Sequence, residues 1–209
     1  NGWGSGLNFV PVVRESVATD ESGNTMTLVP GTPVYLNPET AELETWLRWN
    51  QRPLERRIHI DQNALPAELA GFREYQQGRF KESSVALASE AESETEPLVQ
   101  SWKYILAGHA TLLAEPGAYD AAIRLYRMAS SNQSNLFHPA AIFFDARALL
   151  SWGRCDEARR RLTTLLALEG DGAFHFSILF GTYPLQSELT AWMGVRDLGD
   201  SLEALHNYI

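Results

Sequence analysis

Residues 117–132 read GAYDAAIRLYRMASSN, and the spacing within them decides the fold. Ala122, Leu125, Tyr126 and Ala129 recur at i, i+3, i+4 and i+7, the repeat of one helix face. Two alanines on that face let a neighbouring helix approach closely, and Tyr126 fills the gap beside them. Gly117 stands two residues before Tyr119, as a turn leading into the helix.

The same arrangement recurs on either side. From Ala64 onward, three helix pairs align on a glycine between their two helices. The first pairs Pro66–Gln77 with Phe80–Ala91 around Gly78 and closes at Pro97. The second pairs Leu98–Ala114 with Tyr119–Ser131 around Gly117. The third joins Pro139–Trp152 to Asp156–Leu168 around Gly153. A degenerate fourth, Pro184–Met193 with Val195–Asn207, centres on Gly194. The four glycines stand 39, 36 and 41 residues apart.

Five residues after each of the first three glycines comes a small residue (Ser83, Ala122, Ala158), and four further on a large apolar one (Leu87, Tyr126, Leu162). Seven before each glycine stands Gly71, Ala110 or Ala146. In these positions residues 64–170 resemble the tetratricopeptide (TPR) repeat, whose period is about 34 residues. The chain departs from the family in its longer spacings, in Cys155 where an aromatic is expected, and in a Glu115-Pro116 insertion. The resemblance implies a mostly α protein: a TPR-like α-solenoid of three to four helix pairs, spanning 64–209, after a small β-containing segment at 1–63. A generic α-solenoid of other repeat geometry is the alternative. The last helix, with Leu198, Leu202 and Leu205 on one face and Asp197, Asp200 and Glu203 outside, would cap the stack. Residues 169–183 connect it to the third pair.

The N-terminal segment has a different texture. Phe9–Val13 is β-prone but broken by Pro11, DESGN at 20–24 is a turn signal, and 25–36 has strand character around Pro30-Gly31. These predict a hairpin of Phe9–Thr19 with Thr25–Val29 and a third strand, Pro33–Leu36. GNTMTLVPGTPVYL within this segment is weakly similar to the strands of FecR-type periplasmic domains. Asn37-Pro38-Glu39 predicts the start of a linker helix, with Leu43, Trp46, Leu47 and Asn50 on one face and Pro53 at its end. LERRIHIDQN at 54–63 reads equally as a short strand or a linker.

The chain has 209 residues, a net charge of -9 and 44% hydrophobic residues, enough for a sizeable core. An acidic balance of this size argues against wholesale binding to nucleic acid or anionic lipid. The charge is uneven: residues 64–100 and 171–209 each carry -4, whereas 101–170 carry +2. No apolar run is long enough to span a bilayer. The single cysteine, Cys155, excludes an intrachain disulfide and a cysteine-rich metal site. The start at Asn1 rather than methionine fits a processed product or an excised domain. With the β-prone opening, it leans toward the bacterial periplasm or cell envelope over the cytoplasm.

No catalytic or metal signature appears: no H-E-x-x-H, C-x-x-C, G-x-S-x-G, Walker or strand-borne G-x-G-x-x-G stretch. The five histidines share no ligand spacing, and no cofactor is implied. Cys155, beside Arg154, reads as a packing residue at a repeat turn. Asp145, inside the apolar AAIFFDARALL, is expected either to cap or to pair with an arginine of a neighbouring repeat. Asn132-Gln133-Ser134 is a glycosylation sequon in form only. Arg159-Arg160-Arg161 on a helix whose buried face is Ala158, Leu162, Leu165 and Leu166 is a solvated face or a docking patch for an acidic segment, since guanidinium groups pair bidentately with carboxylates.

The TPR resemblance further implies a concave groove lined by the first helix of each pair. It assigns Phe72 and Tyr75, with Glu68, to the first pair. To the second it assigns Ala107, Thr111 and Ala114, with His109 if the insertion shifts the register, and to the third Phe143, Arg147 and Leu150. The function so implied is a non-catalytic scaffold or assembly subunit that binds a peptide or partner subunit. The alternatives are a protomer of a homo-oligomeric envelope assembly or filament, and a regulatory domain of a larger enzyme.

Overall fold

A computed structural model describes residues 9–20, 23–31, 33–36, 43–49, 52–59, 69–133, 135 and 137–168. Most of its regular structure is helical, with a six-stranded sheet at the N-terminal end. The strands are β1 (Phe9–Pro11), β2 (Ser16–Asp20), β3 (Thr25–Leu28), β4 (Pro33–Leu36), β5 (Leu43–Trp49) and β6 (Arg52–His59). They pair antiparallel in the order β1-β4-β5-β6-β2-β3.

The expected hairpin is present in its second half only. β2 pairs with β3, Ser16 opposite Leu28 and Thr19 opposite Thr25, but Phe9–Pro11 crosses to β4, with Phe9 opposite Tyr35. The linker helix is corrected: Leu43–Trp49 is a strand, paired with β6 from Glu44–Arg57 to Trp49–Arg52. Thr45, Trp46 and Trp49 favour the extended chain. The neighbouring 52–59 stretch supplies the ladder partner, and that outweighs the helix-start signals at Pro38 and Glu39.

The helices are α1 (Ala70–Gln76), α2 (Phe80–Glu92), α3 (Pro97–Ala114), α4 (Tyr119–Ala129), α5 (His138–Ser151) and α6 (Cys155–Leu166). Consecutive helices pack on one another from α1 to α6, and α3 also touches α5 and β1. The expected fourth pair and its connection lie outside the described residues.

Glycine makes the turns. Gly78, Gly117 and Gly153 have φ of 75°, 111° and 81°, the left-handed region where a Cβ is costly. After α1, Gly78 N–H donates to Tyr75 and Arg79 N–H to Glu74. After α5, Gly153 N–H donates to Leu150 and Arg154 N–H to Leu149. Both are the 5→2 and 6→1 closures of a Schellman end. The second turn lacks this pair; Glu115 and Pro116 lengthen it, and Ala118 N–H reaches back to Glu115 instead.

Small residues set the helix contacts. Ser83, Ala122 and Ala158 are fully buried, as are Leu87 and Tyr126. A Cβ placed on Gly71 would sit 2.6 Å from Leu87 Cγ, and one on Gly108 would sit 2.5 Å from Tyr126 Cε1. The closest approach in the second pair thus falls at Gly108, two residues before Ala110, the shift that two inserted turn residues produce. Ser83 Oγ also donates to the Gly71 carbonyl at 2.8 Å.

Burial divides the helices into two kinds. α3 is buried almost continuously from Val99 to Ala110, and α5 from His138 to Leu150. Their sequences are mostly apolar all round, as interior helices are, and the few polar groups they bury, such as Lys103 and Asp145, are paired. In contrast, α2 and α4 each bury a single stripe: Ser83, Leu87 and Ala91 in one, Ala122, Ile123, Tyr126 and Ala129 in the other. One apolar cluster runs through the helices and takes in Val12, Ala18 and Leu28 from the sheet. The sheet meets the start of α3 closely: a Cβ on Gly31 would lie 2.9 Å from Glu96 Oε1.

Candidate binding surfaces

The candidate groove residues and the arginine patch occupy three different places. Phe72 and Tyr75 lie in a cleft of about 330 Å³ between α1, the start of α2 and α3, with Gln76, Phe80, Trp102, Leu106 and Leu113. Its walls are largely aromatic. Phe72 and Trp102 are tilted rings with centroids 5.4 Å apart, and Tyr75 meets Phe80 edge-on at 5.4 Å. Burial pushes the Tyr75 hydroxyl above its ordinary range, so it is a neutral group that can give or accept one hydrogen bond. Trp102 is 1% exposed, and its indole N–H has no partner among the described residues. The arrangement suits an apolar or aromatic side chain.

His109, Phe143, Arg147 and Leu150 are instead interior, at 1%, 2%, 3% and 4% exposure. They line no open surface of the described structure. His109 Nδ1 lies 2.9 Å from the Ile105 carbonyl and 3.1 Å from the Tyr126 hydroxyl. Since a carbonyl only accepts, Nδ1 carries the proton. The imidazole packs edge-on against Tyr126 and Phe144, at 5.5 and 4.4 Å. Burial, with Arg147 nearby, lowers its pKa to about 3. Burial likewise lowers the Arg147 guanidinium pKa and raises that of the Tyr126 hydroxyl well above its ordinary value. These groups hold α3, α4 and α5 together. Ala107 is also buried, whereas Thr111 is half-buried, its hydroxyl 2.6 Å from that of Ser84 on α2.

The arginines form the third place. Arg160 is exposed and Arg159 half-buried on α6. Arg160 joins Arg127, Arg161 and Glu157 around a second cleft of about 330 Å³ between α4 and α6. Behind it stands Asp145 of α5, 0% exposed, accepting from Arg127 Nε at 3.2 Å and from Arg161 Nε at 2.5 Å through the same oxygen, Oδ2. Glu157 pairs with Arg154 and lies 3.8 Å from Arg127 Nη2. The expected partner of Asp145 is thus two arginines, one from each flanking helix. Arg127 is the member that sequence reasoning missed; its signal is a basic residue one position past the buried Tyr126, facing the third pair.

Cys155 is a half-buried free thiol at the start of α6. Next to it the Arg154 guanidinium sits 4.9 Å over the Trp152 ring. Among the described residues no group of three His, Cys, Asp or Glu is arranged to hold a metal ion. No helix among them is long and apolar enough to cross a membrane.

No protein-family model matches the chain, and no curated protein or solved structure matches it either.

Proposed function

We propose that this chain is a non-catalytic interaction scaffold or assembly subunit built as a TPR-like stack of helix pairs, binding a peptide or partner subunit through the cleft between α1 and α3. One observation carries this: the cleft is open, lined by Phe72, Tyr75, Phe80 and Trp102, and lies on the first helices of two successive pairs. Rigid aromatic anchors of this kind give large contact area at small entropic cost. The glycine-closed turns, the small residues at each helix crossing and the packing of every helix on its chain neighbours support the repeat reading. A fold of this kind warrants binding only in general terms; the cleft supplies the particular site.

A second reading, a protomer that assembles with its own copies, rests on the sheet. β3 ends the strand order, and Val17 and Val29 beside it are 58% and 56% exposed. An edge of this sort accepts another strand.

Light scattering of the purified chain, followed by a pull-down from its native extract, separates the two. The scaffold reading expects a monomer that captures one protein and loses it when Phe72 and Tyr75 are changed to serine. A concentration-dependent homo-oligomer that persists in that variant, with nothing else captured, overturns it.

A further inference from the structure

We propose that the cleft between α4 and α6 is a carboxylate-binding site, occupied by the acidic side chains of a peptide partner. It is separate from the α1–α3 cleft and stands whether or not that cleft is filled.

Three guanidinium groups, from Arg127, Arg160 and Arg161, face one space of about 330 Å³. Two of them are held from behind. Asp145 engages Arg127 and Arg161 through their Nε atoms; the Nη end of Arg161 is left for the cleft, and that of Arg127 meets it beside Glu157, whose Oε2 lies 3.8 Å from Nη2. A guanidinium has five donors in a fixed plane, so anchoring at Nε orients what remains. The side chains of Arg127 and Arg161 are 46% and 27% exposed while that of Asp145 is 0%. The anchor is therefore dry and the recognising ends are wet. Arg160, exposed, makes no ion pair among the described residues.

The charge count favours an anion. Against three positive groups stand Glu157, which Arg154 also engages, and Asp145, leaving one positive charge in the cluster. The fit is to a carboxylate because planar forks present paired N–H groups at the spacing of two carboxylate oxygens. A purely structural salt-bridge network would need only Arg127, Asp145 and Arg161; it gives no role to Arg160 or to the open space between the helices.

The surrounding charge makes the test clean. The chain carries -9 overall, so it repels an acidic peptide at long range and nonspecific attraction works against binding. The probe is fluorescein-labelled hexaglutamate, followed by anisotropy at low ionic strength with the full chain. We expect saturable binding that salt weakens, no binding of labelled hexaglutamine, and a loss of about tenfold or more in Arg160→Ala, the scale of one charge-assisted contact. Arg124→Ala is the control: Arg124 is an exposed arginine of α4 paired with Asp120 outside the cleft, and its removal is expected to leave affinity unchanged. Arg160 is exposed, so both variants should keep the far-ultraviolet dichroism of the parent. Absence of saturable binding, or equal losses in the two variants, overturns the site. Displacement of the peptide by inorganic phosphate at the same concentration overturns the assignment to carboxylates.

Discussion

Replacing His109 with phenylalanine is expected to flatten the loss of stability that acid causes in this fold. The folded imidazole resists protonation down to about pH 3, where the ordinary value is 6.5, chiefly because it is fully buried. Its Nδ1–H bond to the Ile105 carbonyl works in the opposite direction, and Arg147 adds to the depression. Below pH 6.5 the unfolded chain binds a proton at this position and the folded chain does not. Stability from this group is therefore complete above pH 6.5 and falls as pH falls, until the folded form titrates near pH 3. One pH unit within that window is worth about 1.4 kcal/mol. Between pH 6.5 and pH 4.5 the loss is about 3 kcal/mol, a large share of a typical folding free energy. Urea unfolding at pH 7 and pH 4.5 measures it for both proteins. Carboxylates titrate in both proteins and cancel in the comparison. The phenylalanine also deprives the Tyr126 hydroxyl of its neighbour, at about 1–3 kcal/mol, but that cost does not depend on pH. Equal losses between the two pH values in parent and variant would refute the account of a neutral buried imidazole.

Three further outcomes follow from the packing. Gly108→Ala puts a methyl 2.5 Å from the fully buried Tyr126 ring and should cost about 1–3 kcal/mol by denaturant unfolding; a neutral result would mean the α3–α4 crossing is looser than described. Gly153→Ala meets nothing within 4 Å but must hold a φ of 81°, so a strain cost of about 1 kcal/mol is expected, and a rise in Tm would contradict it. Asp145→Ala removes the shared anchor of Arg127 and Arg161, whose side chains stay 46% and 27% exposed, and should lower stability by about 1–3 kcal/mol; a neutral result would show the pair to be incidental.

Much of the helical part is legible in the residues themselves. Glycine is the only residue that holds φ near +80° without cost, so Gly78 and Gly153 mark helix ends wherever the chain puts them, and the helix bounds beside them fall within a residue or two of expectation. The interior position of α5 is likewise written in AAIFFDARALL, where nine of eleven residues are apolar and surround the two charged ones. That same feature is why Phe143, Arg147 and Leu150 are poor surface candidates. The TPR register assigns them to a groove, but burial along the whole of α5 overrides that assignment. Asp145 shows where local reading stops. A lone acid in an apolar helix demands a cation, but only the crossing of α4, α5 and α6 reveals that Arg127 and Arg161 are both supplied. The sheet was least legible. Leu43–Trp49 carries helix-start residues ahead of it, and it becomes a strand because a hairpin ladder forms with β6 while β4 pairs on its other side. Phe9–Pro11 pairs with residues more than twenty positions away, which no window of local sequence contains.

The most direct test of the scaffold account is photo-cross-linking from the α1–α3 cleft. A photoreactive residue replacing Gln76, an exposed member of that cleft, is irradiated in the native extract beside the same residue replacing Arg124 on α4. The account predicts one dominant cross-linked protein from position 76 that disappears when Phe72→Ser is added, and none of it from position 124. Identical cross-links from both positions, or a product indifferent to Phe72, would contradict it.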